Sequence, residues 1–258
     1  MTMNPALLLL TDSRLPAGGH AHSGGTEQAI ATGAVHDLAS LAAFLRGRLH
    51  TSGHVAAALA AAACTLSATR SPATAPVSAT GTGAGPEADS TSWDLLDAET
   101  DARTASPAQR DASRTQGRLL LRVARRLWPS PALDGLARAV PNPHHPIALG
   151  AAAHAAGASP EDAALAAAYH SITGPATAAV RLLGLDPVAV HGLLADLAPD
   201  LATTSTAATM AGRAAEPPGT SGTPLADQPW AELPARSAPA LDLLAERHAD
   251  AKVRLFVS

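Results

Sequence analysis

With aromatic rings only at Phe44, Trp93, Trp128, Tyr169, Trp230 and Phe256, this chain has to build its core from leucine, alanine and valine. Nearly half of its 258 residues are hydrophobic, so a core is affordable in size. Alanine is the best helix former, and small side chains let helices approach closely. No alternating apolar pattern of useful length marks a strand. The expected fold is all-α, an irregular bundle of roughly eight to ten helices.

Local signals place several of those helices. Leu38, Leu41, Ala42, Leu45 and Leu49 recur at helical spacing and make one apolar face. Ser106-Pro107-Ala108-Gln109 reads as an N-cap, a first-turn proline and a capping-box glutamine, opening a helix that stops before Pro129. Ser159-Pro160-Glu161-Asp162 and Asp186-Pro187 open two more. Gly174-Pro175 is expected to break or kink the first of these, with a restart at Ala176. Ser237 or Pro239 opens a last helix through Leu241, Leu244 and His248. Residues 67–92 and 203–236 are rich in Thr, Ser, Ala, Gly and Pro and lack an apolar period. We therefore expect one helical domain over residues 1–258, with disordered inserts at 67–92 and 203–236 and a partner-binding tail at 247–258.

Several chemistries are excluded by missing residues. Lys252 is the sole lysine and follows no glycine-rich turn, so a phosphate-binding P-loop is absent. There is no HExxH, no acidic calcium loop and no cysteine pair. The lone Cys64 lies in an alanine run and reads as a buried structural thiol. A net charge of −4 gives no reason to expect nucleic acid or an anionic membrane as partner. The apolar stretch Leu7-Leu8-Leu9-Leu10 is too short and lacks the basic flank of a signal peptide or membrane span, so a cytoplasmic protein is expected.

Three groups of polar residues invite a functional reading. Ala21-His22-Ser23-Gly24-Gly25 approaches the nucleophile elbow of hydrolases. That elbow needs a buried strand before the serine, whereas Pro16-Ala17-Gly18-Gly19 precedes it here. Ser23 is better read as the cap of the helix that continues through Glu27, where the helix dipole favours a carboxylate. His20 and His22 are imidazoles of the kind that suit nickel, but two ligands alone bind weakly. His144-His145 reads as a helix start, and His154 and His170 as core or interface histidines. Within Arg110 to Arg118, Gly117 inside a helix points to close approach by another backbone. Arg114 and Arg118, one turn apart, offer a fork for a carboxylate.

Two distant segments complete the picture. The sequence ends on Arg254-Leu255-Phe256-Val257-Ser258, a basic and aromatic tail in a chain poor in both, and Arg247-His248 lies shortly before it. Asp12-Ser13-Arg14-Leu15-Pro16-Ala17-Gly18-Gly19 and His22-Ser23-Gly24-Gly25-Thr26-Glu27 lie near the other end. Between them, in order, come Arg110 to Arg118 with Leu119-Leu120, His145-Pro146-Ile147-Ala148-Leu149-Gly150 and Ala178-Ala179-Val180-Arg181-Leu182-Leu183. With these pieces the chain resembles the UreF family of urease accessory proteins over nearly its whole length outside the two inserts.

The resemblance implies an all-helical, usually dimeric, cytoplasmic chaperone with no enzymatic activity. It implies binding to UreD (UreH in some bacteria), recruitment of the GTPase UreG, and help in delivering nickel to apo-urease. The complex handles the nickel, and no cofactor is held stably by this subunit. A direct nickel carrier using His20 and His22 is the alternative. The family's tail becomes ordered on binding UreD, and its arginine, here Arg254, supports the loop carrying a glycine-glycine-aromatic motif. The partner-binding residues implied are Leu15, Pro16, Gly18, Gly19, His20, Ser23, Glu27, Arg114, Gln116, Arg118, His248, Arg254, Leu255 and Phe256. His20 stands where the family usually has Phe or Tyr, which weakens the expected loop–tail contact.

Overall fold

Alanine content decides how this molecule packs. The computed structural model describes residues 4–69, 86–214 and 229–256, with the backbone alone at 20, 86–90, 214, 229 and 231. Among the described residues there is no strand, and eleven helices form an irregular all-α bundle when α3 and α4 are counted as one rod. In chain order they are α1 (Pro5–Thr11), α2 (Thr26–Ala31), α3 (Leu38–Arg48), α4 (His54–Thr69), α5 (Pro86–Ala102) and α6 (Pro107–Leu127). They continue with α7 (Pro131–Ala139), α8 (His145–Ala155), α9 (Pro160–Leu183), α10 (Pro187–Asp196), α11 (Ala198–Ala214) and α12 (Pro239–Asp250).

Helix α4 is the axis, with α8, α9 and α11 packed around it. Its residues from Ala57 to Cys64 are all buried, as are residues Pro146 to Ala153 of α8. Where the two cross, a side chain on Gly150 would overlap the Ala60 carbonyl oxygen, so backbone lies against backbone. Leucines on α3 and at the start of the turn after it seal one side, since Leu41, Leu45 and Leu49 are fully buried. Each such leucine contributes about 2 kcal/mol by leaving water. The alanine interfaces contribute through dense dispersion contacts instead. Cys64 is buried with them, and burial pushes its thiol up to about 12.

Helices α3 and α4 form a continuous 32-residue rod, Leu38–Thr69, joined by a π-turn at Leu49–Gly53. By length and composition it is the one helix among the described residues long and apolar enough to cross a membrane. With 72% of its apolar window buried inside the protein, it is the core helix of this bundle.

Most caps follow the sequence. Ser159 and Asp162 form a reciprocal capping box, and Asp186 caps α10 by accepting from the Val188 N–H. Ser106 caps α6, accepting from the Gln109 N–H at 3.1 Å. The capping-box glutamine does not form: the Gln109 side chain donates instead to Asp242 Oδ1 at 3.2 Å. Its place is taken from another helix, because Glu246 of α12 accepts from the Ala108 N–H at 3.0 Å and from the Ser106 hydroxyl. A carboxylate at this position also meets the positive end of the α6 dipole.

Three expectations are corrected. Helix α9 runs unbroken through Pro175. Proline lacks the N–H that would reach the Ser171 carbonyl, and Arg48 Nε donates to that carbonyl in its stead at 2.8 Å. The expected inserts are shorter than composition suggests: residues 67–69, 86–92 and 203–214 are helical, and the rest of both, 70–85 and 215–228, lies outside the described residues. Residues 203–214 use a face of small residues that leaves no leucine period. Gly212 comes so near α4 that a Cβ would lie 2.7 Å from the Ala58 carbonyl oxygen. Thr203 and Thr209 donate their hydroxyls back to Pro199 and Ser205 carbonyls. The far end of this segment is also packed, since Trp230 and Leu233 are buried and their carbonyls accept from Arg103.

Gly117 of α6 meets the expected neighbour. A Cβ there would overlap the Pro143 carbonyl oxygen in the turn before α8. Gly117→Ala gains up to about 1 kcal/mol of helix propensity but overpacks against rigid backbone, which costs typically about 1–3 kcal/mol. The expected outcome is a net loss of stability, read as a lower urea midpoint at unchanged slope.

Candidate functional site

The glycine-rich loop between α1 and α2 is folded by its own backbone. The Leu15 N–H donates to Asp12 at 2.9 Å, and Arg14 closes an exposed ion pair on Asp12 at 2.8 Å. Leu15 packs on the core while Pro16 stays exposed. Gly18 abuts Leu119 of α6, and a 3₁₀ turn follows at Gly19–Ala21. His20 sits in that turn, and its side chain lies outside the described residues. His22 and Ser23 are buried. Ser23 does not cap α2: Gly25, in the left-handed region at φ 87°, occupies the cap position, and the Ser23 hydroxyl is buried without a hydrogen bond.

Glu27, in the first turn of α2, reaches the tail. Its Oε1 accepts the Leu255 N–H at 2.8 Å and its Oε2 accepts the Phe256 N–H at 3.1 Å. His248, buried at the end of α12, completes the clasp. Its Nδ1 lies 3.8 Å from Glu27 Oε2, and its Nε2 lies 3.3 Å from the Phe256 carbonyl oxygen. The Phe256 ring is 8% exposed and lies under the Arg181 guanidinium of α9, 5.2 Å from the ring centre. Leu255 and Val253 stay 75% and 83% exposed. Phe256 is thus anchored on the body, while Leu255 and Val253 are presented outward.

Behind the loop lies a cavity of about 570 Å³, walled by α4, α6, α9 and α12, with Gln116 on its wall and Arg254 at its rim. His145 and His170 line it with ring centres 5.8 Å apart. Burial pushes His145 down to about 3, helped by His170 and His22 nearby, and pushes His170 down to about 4.

The expected Arg114–Arg118 fork does not form. Arg114 turns inward to Asp97 at 2.8 Å and Asp101 at 2.6 Å, and donates to the Asn142 carbonyl at 2.9 Å. Arg118 is exposed. The fully buried His144 ring lies between Asp101, 2.9 Å from Nε2, and Ser113, 3.0 Å from Nδ1. Asp97, Asp101 and His144 are the only group among the described residues with the spacing of a metal site. Arg114 pairs with both carboxylates and Arg110 lies 3.9 Å from Asp101, so two cations face two carboxylates and the cluster fits a structural network that fastens the Pro143 turn to α6.

The UreF family model matches residues 35–198, which run from before α3 to the end of α10. The chain is 42% identical over the full length of both chains to the urease accessory protein UreF of Mycolicibacterium vanbaalenii. It is 41% identical to that of Mycobacterium marinum and 40% to that of Mycobacterium tuberculosis, again over the full length of each. The chain belongs to the UreF family. UreF proteins are accessory proteins and not enzymes, in keeping with the absence of catalytic motifs in this sequence. The family model covers α3 to α10, while the UreF relatives also span the loop, α11, α12 and the tail.

The roles of Arg48, Glu246 and Arg181 escaped the sequence reading, and Pro175 was read there as a break or kink. Arg48 did carry a signal, a charge between Leu45 and Leu49 on an apolar helix. The others act across long sequence separations that no local pattern reports.

Two outcomes follow. Glu27→Ala removes both acceptors of the tail, and amide exchange at Leu255 and Phe256 should speed up about tenfold or more, since charge-assisted hydrogen bonds contribute about 1.5–3 kcal/mol. Glu27→Gln keeps an acceptor and should change less. The second concerns pH. His145 and His170 stay neutral in the fold down to about 3 and 4, but titrate at their ordinary 6.5 once unfolded. Below 6.5 the unfolded chain therefore binds protons that the folded chain does not, and stability falls as pH is lowered, by up to about 1.4 kcal/mol per unit per group. Urea midpoints measured from about pH 7 to 5 should decline in the wild type and less steeply in His145→Gln/His170→Gln.

Proposed function

We propose that this chain is a urease-maturation scaffold. It binds UreD (UreH in some bacteria), recruits the GTPase UreG, and supports nickel insertion into apo-urease. It works in the cytoplasm as a homodimer, and nickel is the cargo of the assembly and not a resident of this subunit. The relatives named above are urease accessory proteins, which supports a role in urease maturation. The observation that carries the finer reading is the Glu27 clasp, which holds the tail beside the glycine-rich loop. Leu15, Pro16, Gly18, Gly19 and His20 on the loop, with Arg254 and Leu255 on the tail, then belong to one docking surface, and the buried Ser23 and Phe256 brace it from beneath. Gln116 and Arg118 of α6 border it, while Glu27, His248 and Arg114 hold its parts in place.

A protein without a phosphate-binding loop can still act on a GTPase by binding one nucleotide state better than the other. Arg254 is exposed at the edge of the surface, where an arginine is well suited to anchor a partner. Arg254→Ala should leave the melting temperature unchanged. It should also abolish co-purification of UreG from cells co-expressing UreD, UreG and apo-urease, and lower urease activation by about tenfold or more, as loss of an arginine hot spot of about 2 kcal/mol implies. Unchanged UreG capture by this variant would overturn the reading.

A further inference from the structure

Arg48 is a half-buried charge held by neutral groups alone. Its Nε donates to the Ser171 carbonyl at 2.8 Å and its Nη1 to the Gly24 carbonyl at 2.8 Å. A guanidinium has five N–H donors, so three have no acceptor on the protein. No carboxylate among the described residues makes an ion pair with it, unlike Arg46, Arg103 and Arg114. Burial alone lowers its affinity for the proton, to about 10. Two neutral carbonyls offset only part of the cost of taking a charge out of water.

The guanidinium does not end in packed protein. It lines the cavity of about 570 Å³ beneath α12. Gly24 makes room for it: a Cβ there would lie 3.2 Å from the guanidinium carbon. The cavity wall carries Arg48, Arg103, Arg236 and Arg254 against Asp111 and Asp242, an excess of positive charge. Asp242 accepts from Gln109 on the α6 side, and Arg103 is taken up by Glu99. The imidazoles of His145 and His170 lie on the same wall and are neutral near pH 7, so they supply hydrogen bonds without a countercharge.

We propose that the Arg48 end of this cavity binds a small oxyanion of the carboxylate or phosphate class. Such an anion supplies the missing countercharge and accepts the free N–H groups in the forked geometry that guanidinium favours. A free solute fits better than a side chain of a docked protein, because Leu241, Ala245 and His248 of α12 wall the cavity. The site does not depend on the partner reading above and is tested on the isolated chain.

The test is calorimetric titration with sodium acetate, bicarbonate or phosphate, in separate arms at one ionic strength set by sodium chloride. Wild type is expected to show one saturable site for at least one of the three, and the arms tell carboxylate from phosphate. Removing Arg48 alone would orphan the Ser171 carbonyl, so the variant is Arg48→Gln/Pro175→Ala, in which residue 175 regains the N–H that pairs with that carbonyl. Affinity should fall about tenfold or more in this variant, the loss of a charge-assisted contact. Pro175→Ala alone should bind as wild type does. Absence of saturable binding in wild type would overturn the proposal. So would equal affinity in Arg48→Gln/Pro175→Ala.

Discussion

One guanidinium ties the end of the glycine-rich loop to helix α9. Arg48 ends α3 just before the π-turn, and it touches two backbone carbonyls that would otherwise go unmatched. The first belongs to Ser171, set free by Pro175 four residues on. The second belongs to Gly24, on the loop that leads into α2. A proline in a helix interior costs about 3 kcal/mol or more, part of it the lost hydrogen bond. Here a cation restores that bond and α9 stays whole. The same contact fixes Gly24, and so the place where α2 starts. Glu27 stands in the first turn of α2, and Glu27 holds the tail. The chain of dependence therefore runs from Pro175 through Arg48 and Gly24 to Leu255 and Phe256.

The body that carries this clasp is stiff for a reason visible in its composition. Contacts between α4 and its neighbours are made by alanine and glycine, so backbones approach directly and few rotamers are left to choose. Interiors packed this closely transmit displacement instead of absorbing it. The polar network of Asp97, Asp101, Arg114 and His144 does the corresponding work where the turn before α8 meets Gly117. Buried ions are costly unless fully paired, and here each carboxylate meets a cation or a backbone N–H.

What the sequence made legible was the part of the fold written locally. Serine-proline and aspartate-proline starts at Ser106, Ser159 and Asp186 each cap a helix. Gly117 signalled close approach because no other residue type would serve there. The failures all involve a remote partner. Pro175 reads as a break until Arg48 is seen beside it. Arg114 reads as an exposed fork until Asp97 and Asp101 arrive from α5. Residues 203–214 read as an insert because a helix pressed onto an alanine face needs threonine, alanine and glycine, and leucine would not fit. Of the proposed docking surface, the loop and the tail were both marked by composition and resemblance. Their joining through Glu27 and His248 was not, since a carboxylate in the first turn of a helix is favourable wherever it points.

The clasp also has a magnitude suited to regulation. Ordering the six residues from Ala251 to Phe256 costs about 1–2 kcal/mol each in backbone entropy. Against this stand burial of one phenylalanine, about 2–3 kcal/mol, and two hydrogen bonds to a carboxylate at about 1.5–3 kcal/mol each. The two sides nearly cancel, so the docked tail sits close to balance with a released one. A partner that covers Leu255 and Val253 needs to add only a few kcal/mol to populate the docked form almost fully. In the proposed scaffold the exposed Leu255 and Val253 would read the partner while the buried Phe256 would report the binding to the loop beside Glu27, and one docking event would then depend on another.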